Sequence, residues 1–224
     1  MNMILNIDTS AGAAQVSISK DGTCIGNVSN PDQKEHASFL QPAIQQLLKS
    51  CGLQLKELAA VAVVNGPGSY TGLRVGLASA KGICYALKIP LITINTLQLM
   101  AKAALLHYTF TTAQAPLFCP MIDARRMEVY TAVYDDQLNE VIFPQAMILG
   151  NESFVATLLQ RQVLFFGDGA FKMKSITESS NALFAGDYDT DTALSIMTFA
   201  KLVNKDFSDL AYAEPFYLKE FFNK

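Results

Sequence analysis

The chain reads as an α/β protein of two lobes, each opening on a βββαβα order of elements, with the second lobe degenerate. Three observations carry that reading. Ile4 to Asp8 is a short apolar strand that leads into a hairpin. Val63-Val64-Asn65-Gly66-Pro67-Gly68-Ser69-Tyr70-Thr71-Gly72 is an apolar strand end that runs through a glycine- and hydroxyl-rich loop straight into a helix. From Ala115 onward the alternation of strands, turns and helices begins again.

The first strand stops at Asp8-Thr9-Ser10. Ala13 to Ser19 alternates, with Gln15, Ser17 and Ser19 on one face and Val16 and Ile18 on the other, as a strand requires. Lys20-Asp21-Gly22-Thr23 is a hairpin signal, because Asp-Gly suits a primed turn, and Cys24 to Val28 is its return strand. Asn30-Pro31-Asp32 punctuates the chain. Phe39, Leu40, Ala43, Ile44, Leu47, Leu48 and Cys51 recur at helical spacing, which predicts a helix from about Glu35 to Cys51, ended by Gly52. Pro42 inside it removes one backbone bond, so a bend is expected there. Ala59 to Val64 is a fourth strand, Gly72 to Leu87 a helix, and Leu91 to Ile94 a fifth strand. Lobe one spans residues 1–96. In lobe two, residues 97–224, Ala115–Ile122 and Met127–Tyr134 read as a hairpin about Asp123-Ala124-Arg125-Arg126. Val141–Leu149 follows as a strand, Asn151–Gln160 as a helix and Val163–Phe166 as a strand. Gly167-Asp168-Gly169 is then a turn and Thr192–Asn204 a last helix, with the C-terminal segment free to pack back on lobe one. This order is that of the actin-like, sugar-kinase-like (ASKHA) fold. There, the aspartate closing the first strand and the glycine loops face a cleft.

Composition narrows the function. Half of the 224 residues are hydrophobic, 17% are charged and the net charge is −3. That balance suits a well-buried globular protein and argues against one that grips nucleic acid unaided, since phosphate binding needs a basic surface. Cys24, Cys51, Cys84 and Cys119 are far apart with no CxxC pair, and read as reduced thiols. The two histidines, His36 and His107, have no metal-site spacing. The start of the chain lacks a basic signal-peptide region, and no apolar run reaches the length of a membrane span. The expectation is a soluble, cytoplasmic protein.

The glycine loop carries the most chemistry. Glycines at 66, 68 and 72 permit tight turning and close approach, and free amides at a helix start can hold an anion. With Asp8, Thr9 and Ser10, the residues Gly66, Gly68, Ser69 and Thr71 form a candidate anion or nucleotide loop. No Gly-Lys-Ser/Thr follows and the glycine spacing is not that of a dinucleotide fingerprint. Spacing alone therefore leaves both a phosphate cradle and a plain tight turn open. The helix that follows carries only Arg74 and Lys81 as charges between Gly72 and Leu87. A helix apolar nearly all round is expected to be buried on more than one side. Gly72, Gly76 and Ala80 form a small-residue stripe, read here as the face that a second helix approaches. Arg74 opposes the helix dipole in the first turn, which suits a partner-facing residue.

Taken together, Ile7-Asp8-Thr9-Ser10, Glu35-His36 with Leu40 and Pro42, and Gly66-Pro67-Gly68-Ser69-Tyr70-Thr71-Gly72-Leu73-Arg74-Val75-Gly76 resemble the bacterial TsaB (YeaZ) family. So do Ile122-Asp123-Ala124-Arg125 with Glu128-Val129-Tyr130, and Ala213-Glu214-Pro215 with Tyr217-Leu218. The resemblance covers the whole chain but is uninformative from Glu140 to Tyr212. It implies an actin-like protein without a catalytic centre. Its partner is the related catalytic subunit TsaD, and the two act in making threonylcarbamoyladenosine on tRNA. TsaD carries a histidine metal motif; here His36 has Leu40 four residues on, so one imidazole cannot build such a site. The resemblance also implies pairing through lobe-one helices, and the interface expected is His36, Leu40, Ile44, Leu47, Leu73, Arg74, Gly76, Leu77 and Ala80. On that reading a large residue at Gly76 or Ala80 blocks pairing while the monomer still folds. Alone, the chain is expected to homodimerise through the same faces. It needs no cofactor of its own, although ATP or ADP can sit at the complex interface. The ATPase TsaE joins the assembly and tRNA is met indirectly. Asp8 is read as capping local amides, and Asp123 and Arg125 as holding the second-lobe hairpin. Two enzyme readings compete: a metallopeptidase, for which no HxxxH, HExxH or Ser/His/Asp set is found, and an ATPase or kinase using Asp8 and the glycine loop.

Overall fold

The computed structural model describes residues 2–32, 36–110, 114–186 and 188–219. The chain divides into two compact units, Met1–Leu99 with Thr190–Phe216, and Met100–Asp189 with Tyr217–Lys224. The boundary falls after Leu99 rather than after residue 96. Residues 190–216, counted within lobe two in the sequence reading with the C-terminal segment free to pack back on lobe one, group with the first unit.

The first unit is built on strands β1 (Met3–Asp8), β2 (Ala14–Lys20), β3 (Thr23–Asn30), β4 (Leu58–Gly66) and β5 (Leu91–Asn95). They form one sheet in the order β3-β2-β1-β4-β5. β1 to β3 pair antiparallel, while β4 lies parallel to β1 and β5 parallel to β4. The β2–β3 turn has φ of 48° at Asp21 and 85° at Gly22, the primed geometry that Asp-Gly favours. Side chains alternate across the sheet. Met3, Leu5, Ile7, Val16, Ile18, Val61 and Val63 face helices α1 (His36–Ser50) and α2 (Tyr70–Leu87), and together they form the core. α1 continues through exposed Pro42, and Gly52, at φ 67°, closes the turn after it. Gln15, Ser17, Ser19 and Asn6 lie on the opposite face, which α6 (Asp191–Val203) covers. There the buried carboxylate of Asp191 accepts hydrogen bonds from the side-chain amides of Gln15 and Asn27, so a buried charge is fully engaged.

The second unit repeats the plan. β6 (Leu117–Asp123), β7 (Glu128–Tyr134), β8 (Glu140–Ile148), β9 (Val163–Phe166) and β10 (Ala182–Phe184) form a sheet in the order β10-β9-β6-β7-β8. The pairing senses match those of the first sheet. The degeneracy lies in its helices. α4 (Val155–Gln160) and α5 (Ala170–Lys174) have only 6 and 5 residues. α4 is shorter than the sequence predicts because Phe154, with φ 60° and its ring in the core, breaks the backbone before it. The sequence reading also missed α3 (Thr96–His107), α5 and β10. Among the described residues, no helix is long and apolar enough to cross a membrane.

The β6–β7 hairpin is held from beneath. Lys172, buried on α5, donates to Asp123 Oδ1 at 2.7 Å and to the Glu128 carbonyl at 2.9 Å, gripping both feet of the turn. Asp123 Oδ1 also accepts the Arg125 N–H at 2.6 Å, and Asp168 accepts the Asp123 N–H at 2.9 Å. Asp123 therefore does hold this hairpin, but through Lys172 and the Arg125 backbone rather than the Arg125 side chain. The bonded Lys172 ammonium keeps the Asp123 carboxyl below the usual carboxylate range, against an opposing effect of burial and with help from the Arg125 N–H. A depressed carboxyl stabilises the fold above its unfolded value of about 3.9, and that stability fades as pH falls through the lower folded value. Denaturant titrations of wild type and Asp123→Asn from pH 7 to pH 2.5 are expected to show a gap that narrows below about pH 4. A gap unchanged across that range would refute the assignment.

Candidate functional site

The two loops singled out in the sequence meet at the C-terminal ends of β1 and β4. Asp8 Oδ1 accepts the Ser10 N–H at 2.9 Å and the Ser10 hydroxyl at 2.6 Å, a local turn of the kind aspartate favours. Buried Thr9 donates its hydroxyl to the Gly72 carbonyl at 2.7 Å. The Ser69 N–H donates to the Ser10 carbonyl at 2.7 Å, and the Ser69 hydroxyl caps α2 by accepting the Gly72 N–H at 3.3 Å. Gly66, at φ 118°, precedes a cis bond to Pro67. A Cβ on Gly68 would stand 2.1 Å from the Ser10 carbonyl oxygen. Asp8, Thr9, Ser10, Gly66, Gly68 and Ser69 are thus brought together, with Thr71 exposed beside them. They bond chiefly to one another. A backbone carbonyl lies against the glycine loop, and the Ser69 amide is turned onto it. Of the two sequence readings, this geometry favours the closed turn.

The expected partner face is corrected by burial. Leu40, Ile44, Leu47, Leu73, Leu77 and Ala80 are at most 4% exposed, and Gly76 is buried with them. A Cβ on Gly76 would stand 2.3 Å from Thr9 Oγ1 and 3.5 Å from Ile7 and Val63. The stripe Gly72, Gly76, Ala80 therefore seats α2 on its own sheet, and a large residue there disturbs the fold before any pairing. Leu73, Leu77 and Cys84 lie beside that stripe and are buried with it, and this is the signal that could have placed it inward. The side chain of His36 lies outside the described residues, as does Glu35. Arg74 is exposed, as expected, with its guanidinium 4.0 Å over the Tyr70 ring.

A second small stripe, which the sequence reading missed, faces outward. Ala78, Gly82 and Ala86 are exposed at intervals of four, with Tyr85 79% exposed beside them. A Cβ on Gly82 would meet nothing within 4 Å. Ala78, Gly82 and Ala86, with Gln41, Leu55, Ser79, Ile83 and Leu87, line an open groove of about 500 Å3 between α1 and α2. Gln41 bridges the helices by donating to the Ser79 hydroxyl at 3.1 Å. So α2, apolar nearly all round, is buried on one side only.

Lys81 fixes a further border of this surface. Its ammonium donates to the carbonyls of Ala211 and Ala213 at 3.0 and 3.1 Å. The same segment runs on to Phe216, whose N–H donates to the Asn65 carbonyl at 2.7 Å. The segment that carries Ala213-Glu214-Pro215 thus straps α2 and the end of β4 through its backbone. Two thiols are inert by burial, which pushes Cys84 up to about 11 and Cys119 up to about 12. Among the described residues, no three His, Cys, Asp or Glu side chains gather as a metal site.

Comparison with known proteins agrees with this architecture. A family model described as TsaD, tRNA N6-adenosine threonylcarbamoyltransferase, matches residues 23–215. The chain is 32% identical over 178 residues to the tRNA threonylcarbamoyladenosine biosynthesis protein TsaB of Bacillus subtilis, covering 78% of this chain and 75% of that one. It is 30% identical over 229 residues to the protein of the same name from Haemophilus influenzae, covering 96% and 93%. YeaZ from Pseudomonas aeruginosa superposes with a TM-score of 0.76 at 25% identity, over 97% of this chain and 100% of that one. A second Pseudomonas aeruginosa structure, an uncharacterized protein with similarity to peptidase YEAZ, reaches 0.80 at 23% identity over 98% and 100%, which bears on the fold alone. The chain belongs to the TsaB (YeaZ) family.

The closed loop makes a stability prediction. Gly68→Ala forces a methyl against a backbone carbonyl that cannot swing away, and is expected to destabilise the protein by about 1–3 kcal/mol. An unchanged denaturation midpoint would mean that the two loops are not clasped as described.

Proposed function

We propose that this TsaB-family chain is a non-catalytic scaffold subunit. It binds and activates the related catalytic subunit, TsaD, in forming threonylcarbamoyladenosine on tRNA. The observation that carries the reading is the outward stripe of Ala78, Gly82 and Ala86 with Tyr85. It is an open, small-residue helix face flanked by an apolar groove, suited to close approach by another helix. Alone, the same face pairs two copies about a twofold axis. In the assembly TsaE joins the pair, tRNA is met chiefly through TsaD, and ATP or ADP sits at the complex interface rather than in the clasped loop of this chain. The ATPase reading has less support, because Asp8 is turned onto Ser10. The metallopeptidase reading has no gathered set of ligands among the described residues to stand on.

The test is a substitution at Gly82, not at Gly76. Gly82→Leu replaces an exposed helical glycine, so it is expected to raise stability by about 0.5–1 kcal/mol. It fills the groove at the same time, and is expected to weaken pairing with TsaD by tenfold or more, which is about 1.4 kcal/mol. Mass by light scattering after size exclusion reads the pairing, and thermal denaturation reads the fold. A Gly82→Leu chain that pairs at native affinity would show that this face is not the interface.

A further inference from the structure

We propose that the Arg125–Arg126 turn of the second unit is a phosphate-binding tip for single-stranded RNA, with Phe171 as the aromatic platform beside it. The inference rests on the reading of the chain as a tRNA-modification protein and adds a direct RNA contact to it. Both arginines are exposed at the tip of the β6–β7 hairpin. Among the described residues, neither guanidinium has an ion pair or a hydrogen-bond partner. Their backbones stand at φ 71° and 45°, a left-handed region that side-chain-bearing residues avoid. The turn holds that conformation through a dense set of bonds. Lys172 grips Asp123 and the Glu128 carbonyl, Asp123 holds the Arg125 N–H, and the Glu128 N–H donates to the Arg125 carbonyl at 3.0 Å. Two long cations are thus presented from a fixed base, which lowers the ordering cost of binding.

The charges around the base leave the tip positive. Asp123 is paired with Lys172 and Glu128 with Lys219, while Asp168 caps the Asp123 amide. The guanidinium fork matches the oxygens of a phosphodiester. Phe171 is 62% exposed, and its ring centre lies 5.8 Å from the same Lys172 ammonium that grips the turn. A solvent-facing ring on the helix whose lysine braces the arginine turn suits an unstacked nucleotide, whose base stacks while its phosphate is held. An acidic protein surface would use the arginines and leave the ring idle. With a net charge of −3 overall, one such tip supports only weak, salt-sensitive binding.

Fluorescence anisotropy of a labelled, unmodified tRNA transcript with the full chain, at several salt concentrations, tests this. Asparagine tolerates the left-handed turn, so Arg125→Asn/Arg126→Asn is the variant of choice. It is expected to bind about tenfold or more weakly and to flatten the salt dependence by about one to two phosphate contacts. Phe171→Ala is expected to lose about 5- to 150-fold while keeping the salt slope. No measurable binding by wild type, or equal binding by wild type and the double asparagine variant, overturns the inference. Displacement of the labelled RNA by polyglutamate at least as efficient as by unlabelled transcript of matched charge also overturns it and points to an acidic protein partner. Pairing with TsaD, measured on the same samples, separates the two readings. Wild type that does not pair refutes the scaffold reading, whereas wild type that pairs but binds RNA without regard to the arginines refutes only the tip.

Discussion

The clasp between Ser10 and Gly68 organises the first unit. The Ser69 amide reaches the Ser10 carbonyl only because Gly68 carries no side chain to keep the backbones apart. The clasp sets the start of α2. Thr9 then bonds the Gly72 carbonyl, and Gly76 settles onto Thr9, so the helix lies close on β1 and β4. With its small stripe used for that seat, α2 turns Ala78, Gly82, Tyr85 and Ala86 outward. A loop geometry that in other proteins cradles an anion serves here to fix a helix, and through the helix a surface.

The two units share one plan and differ in what they do with it. Asp8 and Asp123 end the equivalent strands β1 and β6, and each accepts the N–H two residues on. In the first unit long helices follow, and the plan yields an exposed small-residue helix face beside a groove. In the second the helices shrink to one or two turns, and a buried lysine from the shorter one braces the hairpin instead. The duplicated sheet is thus a common platform on which the first unit presents a groove and the second a charged tip.

Much of this was legible in the residues. Strand alternation in β2, the Asp-Gly turn and the apolar runs of β1 and β4 led directly to the succession of elements in the first unit, though not to the order of strands within its sheet. The inward stripe of α2 was missed, because two small-residue stripes at the same spacing compete on one helix. The flanking Leu73, Leu77 and Cys84 mark the inward one, and the fit of Gly76 against the buried hydroxyl of Thr9, distant in sequence, gives the reason. α3 escaped notice because Leu97, Leu99, Met100, Ala101, Ala103 and Ala104 are all buried and only Gln98 and Lys102 interrupt the apolar run, too few to mark a period. The cap was nevertheless present, as Asn95 accepts the N–H groups of Leu97 and Gln98. The clasped state of the glycine loop depends on Ser10 and Phe216, and no local pattern around Gly66 reveals either.

The most direct test of the scaffold account is threonylcarbamoyl transfer to tRNA, assayed with this chain alone, with TsaD and TsaE alone, and with all three, each supplied with ATP and the activated donor. The account predicts no transfer by this chain alone and transfer by TsaD that rises steeply when the chain is added. Transfer by this chain alone, or a TsaD rate indifferent to it, would contradict the account.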